Sequence, residues 1–296
     1  LRPRVRPRRP PRRGDRRRDG HRDRRAPHGV LRPQSVEAVV ERDGVELRCI
    51  VRAGEPTVVL LHGLAGHAGE WSEVIDELDP SVGAIAVDLR AHGRSQPVRP
   101  VPLDAASHVT DVVAVLEALS PGPVVLCGQS MGGIVATLTA AAYPDLVDRL
   151  VLVESGMEAI DTAELERLAG WLRSWPAVFA DTDAAAGFFS MSDLSIAPWT
   201  GGLRPTGAGL ARRFDPEALV RTITELGARD RWEEWASLRV PATLLVAEQG
   251  MIGDDEVERM GRLRPDVDVV VIGSSGHDVH LDRPAVVARH LVAPAS

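Results

Sequence analysis

The chain has 296 residues, is 44% hydrophobic and 26% charged, and carries a formal net charge of −7 with two cysteines. No apolar run approaches the roughly 20 residues that a membrane-spanning helix needs, and two cysteines cannot build a disulfide framework. The expectation is therefore a protein without membrane association, set in the cytoplasm, with Cys49 and Cys127 outside any metal-ligand spacing and read as buried free thiols, a disulfide between them being the alternative.

Charge is unevenly spread. Residues 1–25 hold 13 Arg and 3 Asp, a net of +10, which leaves −17 for the remainder. An Arg/Pro/Asp/Gly stretch cannot bury enough surface to offset chain entropy, so residues 1–34 are read as a disordered tail. The run is basic but lacks aromatic residues to stack on bases, so no nucleic-acid partner is expected. It also lacks the Ser of a transit peptide and the apolar stretch of a secretion signal.

Alternating apolar residues on either side of Asp43-Gly44 predict a hairpin over 36–51. A buried strand follows at 57–61 and runs into His62-Gly63-Leu64-Ala65-Gly66. A helix is expected over 71–78 and a strand over 84–87, which ends in Asp88-Leu89-Arg90-Ala91-His92-Gly93-Arg94-Ser95. Apolar residues at 109, 112, 113, 116 and 119 give the 3.6-residue period of a helix over 104–119. Next come a strand at 123–127, a small-residue helix at 131–143 stopped by Pro144, and a strand at 147–153. Beyond 243–246 the pattern resumes with a helix at 254–263, a strand at 267–272 and a helix at 284–292. Strand and helix in alternation call for a mostly parallel sheet covered on both faces.

Residues 155–239 break the alternation. Helices are expected over 162–175 and 216–227, and no buried strand is evident. Nine of the chain's eleven aromatic residues fall here. Such residues form the core of a helical layer or the wall of an apolar pocket. Met191 and Trp199, in stretches broken by Gly, Pro and Ser, are the better pocket candidates. The domain reading is an α/β core over 35–154 and 240–296, interrupted by a helical lid over 155–239.

The chemistry is concentrated in Gly128-Gln129-Ser130-Met131-Gly132, a G-x-S-x-G pentapeptide between a buried strand and a helix. A serine on so sharp a turn is exposed for attack, and the following helix N-terminus aims free N–H groups at the same place. A serine hydroxyl needs a neighbouring base. His277, in the loop Gly273-Ser274-Ser275-Gly276-His277-Asp278, is the candidate, with His280 as a nearby rival. His62, His67, His92 and His108 are read as structural or pocket-lining.

His62-Gly63, the Asp88–Ser95 segment, the pentapeptide and Gly276-His277, in that order, resemble the α/β-hydrolase fold family. Ala91 stands where Gly is commoner. The resemblance covers about residues 35–293. It implies an eight-stranded, mostly parallel sheet flanked by helices, a helical lid after the sixth strand, and a serine hydrolase needing no cofactor and no metal. Haloalkane dehalogenase and epoxide hydrolase chemistry is disfavoured, because those members carry Asp where Ser130 stands. The backbone N–H groups of Met131 and Leu64 are the expected oxyanion donors.

The third triad member departs from the family pattern. Most members place an Asp in the turn after the strand read here as 243–246, but that turn reads Ala247-Glu248-Gln249-Gly250-Met251-Ile252. Glu154, at the end of the strand at 147–153, resembles the acid of members that moved it there, including the zearalenone lactonase. Glu248, Asp254 and Asp255 remain alternatives. The reading is a hydrolase of a small apolar carboxylic ester or lactone. Carbon–carbon bond hydrolysis, amide cleavage, cofactor-free peroxidation and a non-catalytic small-molecule receptor are its rivals. The sequence sets no oligomeric state.

Overall fold

The computed structural model describes residues 35–55, 57–96, 100–190 and 196–292; the Arg-rich tail and Met191 lie outside the described residues. Strands β1 (Ser35–Arg42) and β2 (Val45–Arg52) form the expected antiparallel hairpin, with Arg42 opposite Val45. Asp43 and Gly44 both take positive φ, as a tight two-residue turn matching strand twist demands. The chain continues through β3 (Thr57–Leu61), α1 (Ser72–Glu77), β4 (Gly83–Val87), α2 (Ala105–Leu119), β5 (Val124–Gln129), α3 (Met131–Ala142) and β6 (Val147–Val153). Asp104 starts α2 where the apolar period begins, its carboxylate accepting the Ser107 N–H at 2.7 Å.

An insertion follows, with α4 (Thr162–Ser174), β7 (Val178–Phe179), α5 (Thr182–Ser190), α6 (Ile196–Gly201), β8 (Arg204–Thr206), β9 (Gly209–Ala211), α7 (Pro216–Gly227) and α8 (Trp232–Ser237). The sheet pattern then returns with β10 (Ala242–Ala247), α9 (Asp254–Leu263), β11 (Asp268–Ile272), α10 (Val279–Asp282) and α11 (Pro284–Val292).

Eight strands form one sheet in the order β1-β2-β4-β3-β5-β6-β10-β11, with only the β1/β2 and β2/β4 pairs antiparallel. In β3 and β5 the two-residue period sends alternate side chains to opposite faces. Val59, Leu61, Val124 and Leu126 join the core under α2, α3 and α8, while Val58, Leu60, Val125 and Cys127 join the core under α1 and α11. Both faces are thus buried, which is why these strands read as unbroken apolar runs. Cys49 and Cys127 are free and buried, and desolvation pushes both thiols up.

The insertion differs from its expectation in one respect. It contains a three-stranded antiparallel sheet, β7-β9-β8, that the sequence did not signal. Each strand is only two or three residues long, too short for any period to register. Trp175, Phe179, Phe189, Trp199 and Phe214 form one buried cluster with Ala65, Ala91 and Leu103 of the main domain's loops. Most of the aromatic excess is therefore the insertion's own core and its seat on the sheet. Trp232 and Trp235 instead pack into the core beneath α3.

Candidate active site

Strand β5 is buried along its length and delivers Ser130 to the start of α3. Ser130 adopts φ 49° and ψ −119°, a region where an L residue is strained. The turn persists because its surroundings allow nothing larger. A Cβ on Gly128 would lie 2.3 Å from the Gly132 carbonyl oxygen, and one on Gly132 would lie 2.5 Å from the carbonyl oxygens of Leu61 and His62. The Ser130 N–H donates to Val153 O at 3.0 Å, and the Ser155 hydroxyl donates to Ser130 O at 2.9 Å, so β6 clamps the turn.

One residue beyond β6, Glu154 also has positive φ, at 48°, and its side chain is buried. Its carboxylate accepts the Ala247 N–H on Oε1 at 2.6 Å and the Met251 N–H on Oε2 at 2.8 Å. The same Oε2 lies 3.4 Å from His277 Nδ1. A proton on Nδ1 facing the carboxylate leaves Nε2 unprotonated. The loop carrying His277 is fastened to the serine strand, because Gln129 Nε2 donates to His277 O at 3.2 Å. Its other side is held by Gly276 N–H donating to Asp282 Oδ2 at 2.9 Å.

Ser130, Met131, Gly63, Leu64, Glu154 and His277 all line one open cavity of about 1260 Å³. The insertion contributes Trp171, Trp199, Leu168 and Ile223 to its wall. The loop bearing Leu64 is anchored by Asp88, whose Oδ1 accepts the Ala68 N–H at 2.7 Å and whose Oδ2 accepts the Arg94 N–H at 2.9 Å. Arg90 of the same motif is buried and grips Asp111 through two bonds of 2.6 Å. Ala91 holds φ 62°, which accounts for Gly being commoner there. His62 accepts the Leu89 N–H on Nε2 at 3.0 Å, and burial drives it down to about 3, so it stays neutral.

A profile of the alpha/beta hydrolase family matches residues 58–290. The chain belongs to that family.

Among alpha/beta hydrolases, the 2-(acetamidomethylene)succinate hydrolase of Mesorhizobium japonicum is 24% identical over 238 residues, 78% of this chain and 84% of that protein. The esterase Rv0045c of Mycobacterium tuberculosis is 29% identical over 242 residues, covering 77% of this chain and 79% of its own length. Two solved structures share the fold. An E-2-(acetamidomethylene)succinate hydrolase superposes with a TM-score of 0.79 at 22% identity over 86% of this chain and 97% of that one. The enol-lactonase of Burkholderia xenovorans superposes with a TM-score of 0.68 at 19% identity over 84% of this chain and 96% of that one.

The other carboxylates named from the hydrolase's sequence lie elsewhere. Glu248 is exposed and accepts the Ser274 N–H at 2.8 Å. Asp254 and Asp255 are exposed in the first turn of α9, where negative charge suits the helix dipole. The rival base, His280, is buried against Trp71 with ring centroids 4.5 Å apart, and burial holds it down at about 4. Trp199 is buried and reaches the cavity wall.

Three contributors escaped the sequence reading. Gln129 braces the histidine loop; its only signal was a polar residue closing an apolar strand. Gly250 makes room for Glu154, as a Cβ there would lie 2.3 Å from Oε1. Glu70 lines the cavity although buried, and desolvation pushes its carboxyl up to about 8. No group of three or more His, Cys, Asp or Glu among the described residues could hold a metal ion, and none of their helices is long and apolar enough to cross a membrane.

Proposed function

We propose that this alpha/beta hydrolase is a serine esterase acting on a carboxylic ester or lactone through an acyl-enzyme, with Ser130, His277 and Glu154 as its triad. The observation that carries the reading is Glu154 Oε2 at 3.4 Å from His277 Nδ1, with its carboxylate fixed by two backbone donors. A carboxylate there sets the imidazole tautomer and offsets the imidazolium that forms during attack.

Ser130 Oγ attacks the carbonyl carbon while His277 Nε2 takes its proton. The oxyanion rests on the N–H groups of Leu64 and Met131, each worth about 2.7–4 kcal/mol of barrier. Collapse breaks the bond to the leaving alkoxide, which takes the proton from His277. Water then attacks the acyl-enzyme with His277 again as base, releasing the acid and restoring Ser130. These steps need no cofactor. The insertion acts as a lid whose Trp171 and Trp199 exclude water from one side of the acyl group.

A panel of p-nitrophenyl esters and lactones, assayed with the native protein and Ser130→Ala, tests the reading. Turnover lost by Ser130→Ala supports it. Ligand binding by the folded native protein without turnover of any ester or lactone would favour a receptor. A second reading, hydrolysis of a bond other than an ester by the same triad, draws on the likeness to 2-(acetamidomethylene)succinate hydrolase. Including that compound in the panel separates the two.

A further inference from the structure

The charge around the cavity is one-sided. Glu158, Asp161, Asp278 and Asp282 all line it, whereas the single lysine or arginine among the described lining residues is Arg167. That guanidinium is already ion-paired with Glu164, another lining residue. Hydrogen bonding fixes part of this negative charge without cancelling it. Asp161 accepts the Glu164 N–H at 2.8 Å, Asp282 accepts the Gly276 N–H at 2.9 Å, and Asp278 accepts from Gln129 Nε2 at 3.5 Å.

A second, independent observation lies deeper in the wall. Glu70 is 2% exposed, and its Oε1 has no hydrogen-bond partner. Its Oε2 is 3.6 Å from His280 Nε2, beyond hydrogen-bond range, and both nitrogens of His280 are themselves without partners. A buried carboxyl oxygen left without a partner on a cavity wall is a place for a ligand's polar or positive group, and a cation seated there would favour the ionised carboxylate. Trp171, Trp199, Ile160, Leu168 and Ile223 give the same cavity an apolar and aromatic lining.

We propose that the cavity selects substrates that join an apolar body to a cationic group, such as an ammonium, and turns away substrates that carry a carboxylate. The proposal rests on the esterase reading for its chemistry but not for its selectivity. A cleft lined by charges of one sign, with low-dielectric walls, focuses its field on the ligand. Aromatic walls add to the attraction for a cation. An anionic substrate meets the same field as repulsion, with the single arginine or lysine among the described lining residues already paired with Glu164.

The test uses phenyl esters of one acyl length ending in a trimethylammonium, a tert-butyl or a carboxylate group, the first two being nearly isosteric. Calorimetry with Ser130→Ala reads binding without turnover. At low ionic strength the ammonium ester is expected to bind roughly tenfold tighter than the tert-butyl ester and roughly a hundredfold tighter than the carboxylate ester, with the gaps shrinking in high salt. Adding Glu158→Lys and Glu164→Lys should narrow the ammonium preference to roughly threefold or less, in a variant whose circular dichroism and melting confirm its fold. Equal binding of the three esters, tightest binding of the carboxylate ester, or an order indifferent to salt and to both lysines would overturn the proposal. If the binding order holds while the native protein hydrolyses none of them, the esterase reading fails and the selectivity stands.

Discussion

Gly250 and Glu154 share one space: a Cβ added to Gly250 would lie 2.3 Å from Glu154 Oε1 and 2.4 Å from Oε2. The end of β10 and the turn after it, which in most family members carries the acid, here offer a residue without a side chain and two backbone donors. In the proposed triad the carboxylate comes instead from Glu154, one residue beyond β6. Its backbone is anchored as well, with the Glu154 N–H donating to Leu245 O at 2.9 Å.

Gly250→Ala should therefore push the carboxylate off His277 while sparing the core. A displacement of about 1 Å at a catalytic group costs on the order of 100-fold. Steady-state kinetics should show kcat lower by roughly 10- to 100-fold with KM little changed.

Glu154→Gln keeps the shape and removes the charge. The expected loss in kcat is up to about 10⁴-fold, the size seen when a triad acid is made an amide. Glu154→Gly with Gly250→Asp returns an acid to the later turn and suits glycine to the positive φ at 154. This double variant should recover at least roughly tenfold in kcat over Glu154→Gln.

Stability should depend on pH through Glu70 and the buried histidines. Above the ordinary carboxylate range the unfolded chain has lost the Glu70 proton, while the folded chain keeps it up to about 8. Folding is therefore weakened as pH rises toward 8, by about 1.4 kcal/mol per pH unit for one proton. His62, His92 and His108 are held down at about 3 by burial, so they take up protons only on unfolding, and stability is lost as pH falls below 6.5. From about pH 5 to 8 the native protein should lose stability in thermal melts relative to Glu70→Gln, because the histidines contribute equally to both and cancel in the comparison.

The Asp88–Ser95 motif serves the fold through Arg90. Asp111→Ala strands a buried guanidinium and should cost about 3–5 kcal/mol in denaturant unfolding. Glu258→Ala, which breaks the exposed pair with Arg262 at 3.2 Å, should change stability by less than about 1 kcal/mol.

The main sheet was legible because β3, β5, β6 and β10 are buried on both faces and read as apolar runs bounded by turns. Ser130 was legible as a candidate because Gly128 and Gly132 flag a turn where backbone approaches backbone, and His277 because a glycine precedes it in the loop after the last strand pattern. The seat of Glu154 was not, since it depends on space left by a residue nearly a hundred positions away. Nor was the charge of the cavity, because Glu158, Asp161, Asp278 and Asp282 each read as a solvated loop or cap residue until the fold gathers them. The expectation of an apolar substrate came from aromatics that mostly serve the insertion's own core.

Rates of labelling by a fluorophosphonate, followed by intact mass and peptide mapping in the native protein, Glu154→Ala and Glu248→Ala, address the serine and its acid together. The account predicts one adduct on Ser130, formed orders of magnitude more slowly in Glu154→Ala and at the native rate in Glu248→Ala. No adduct on Ser130 in the folded native protein, or native-like labelling of Glu154→Ala, would contradict it.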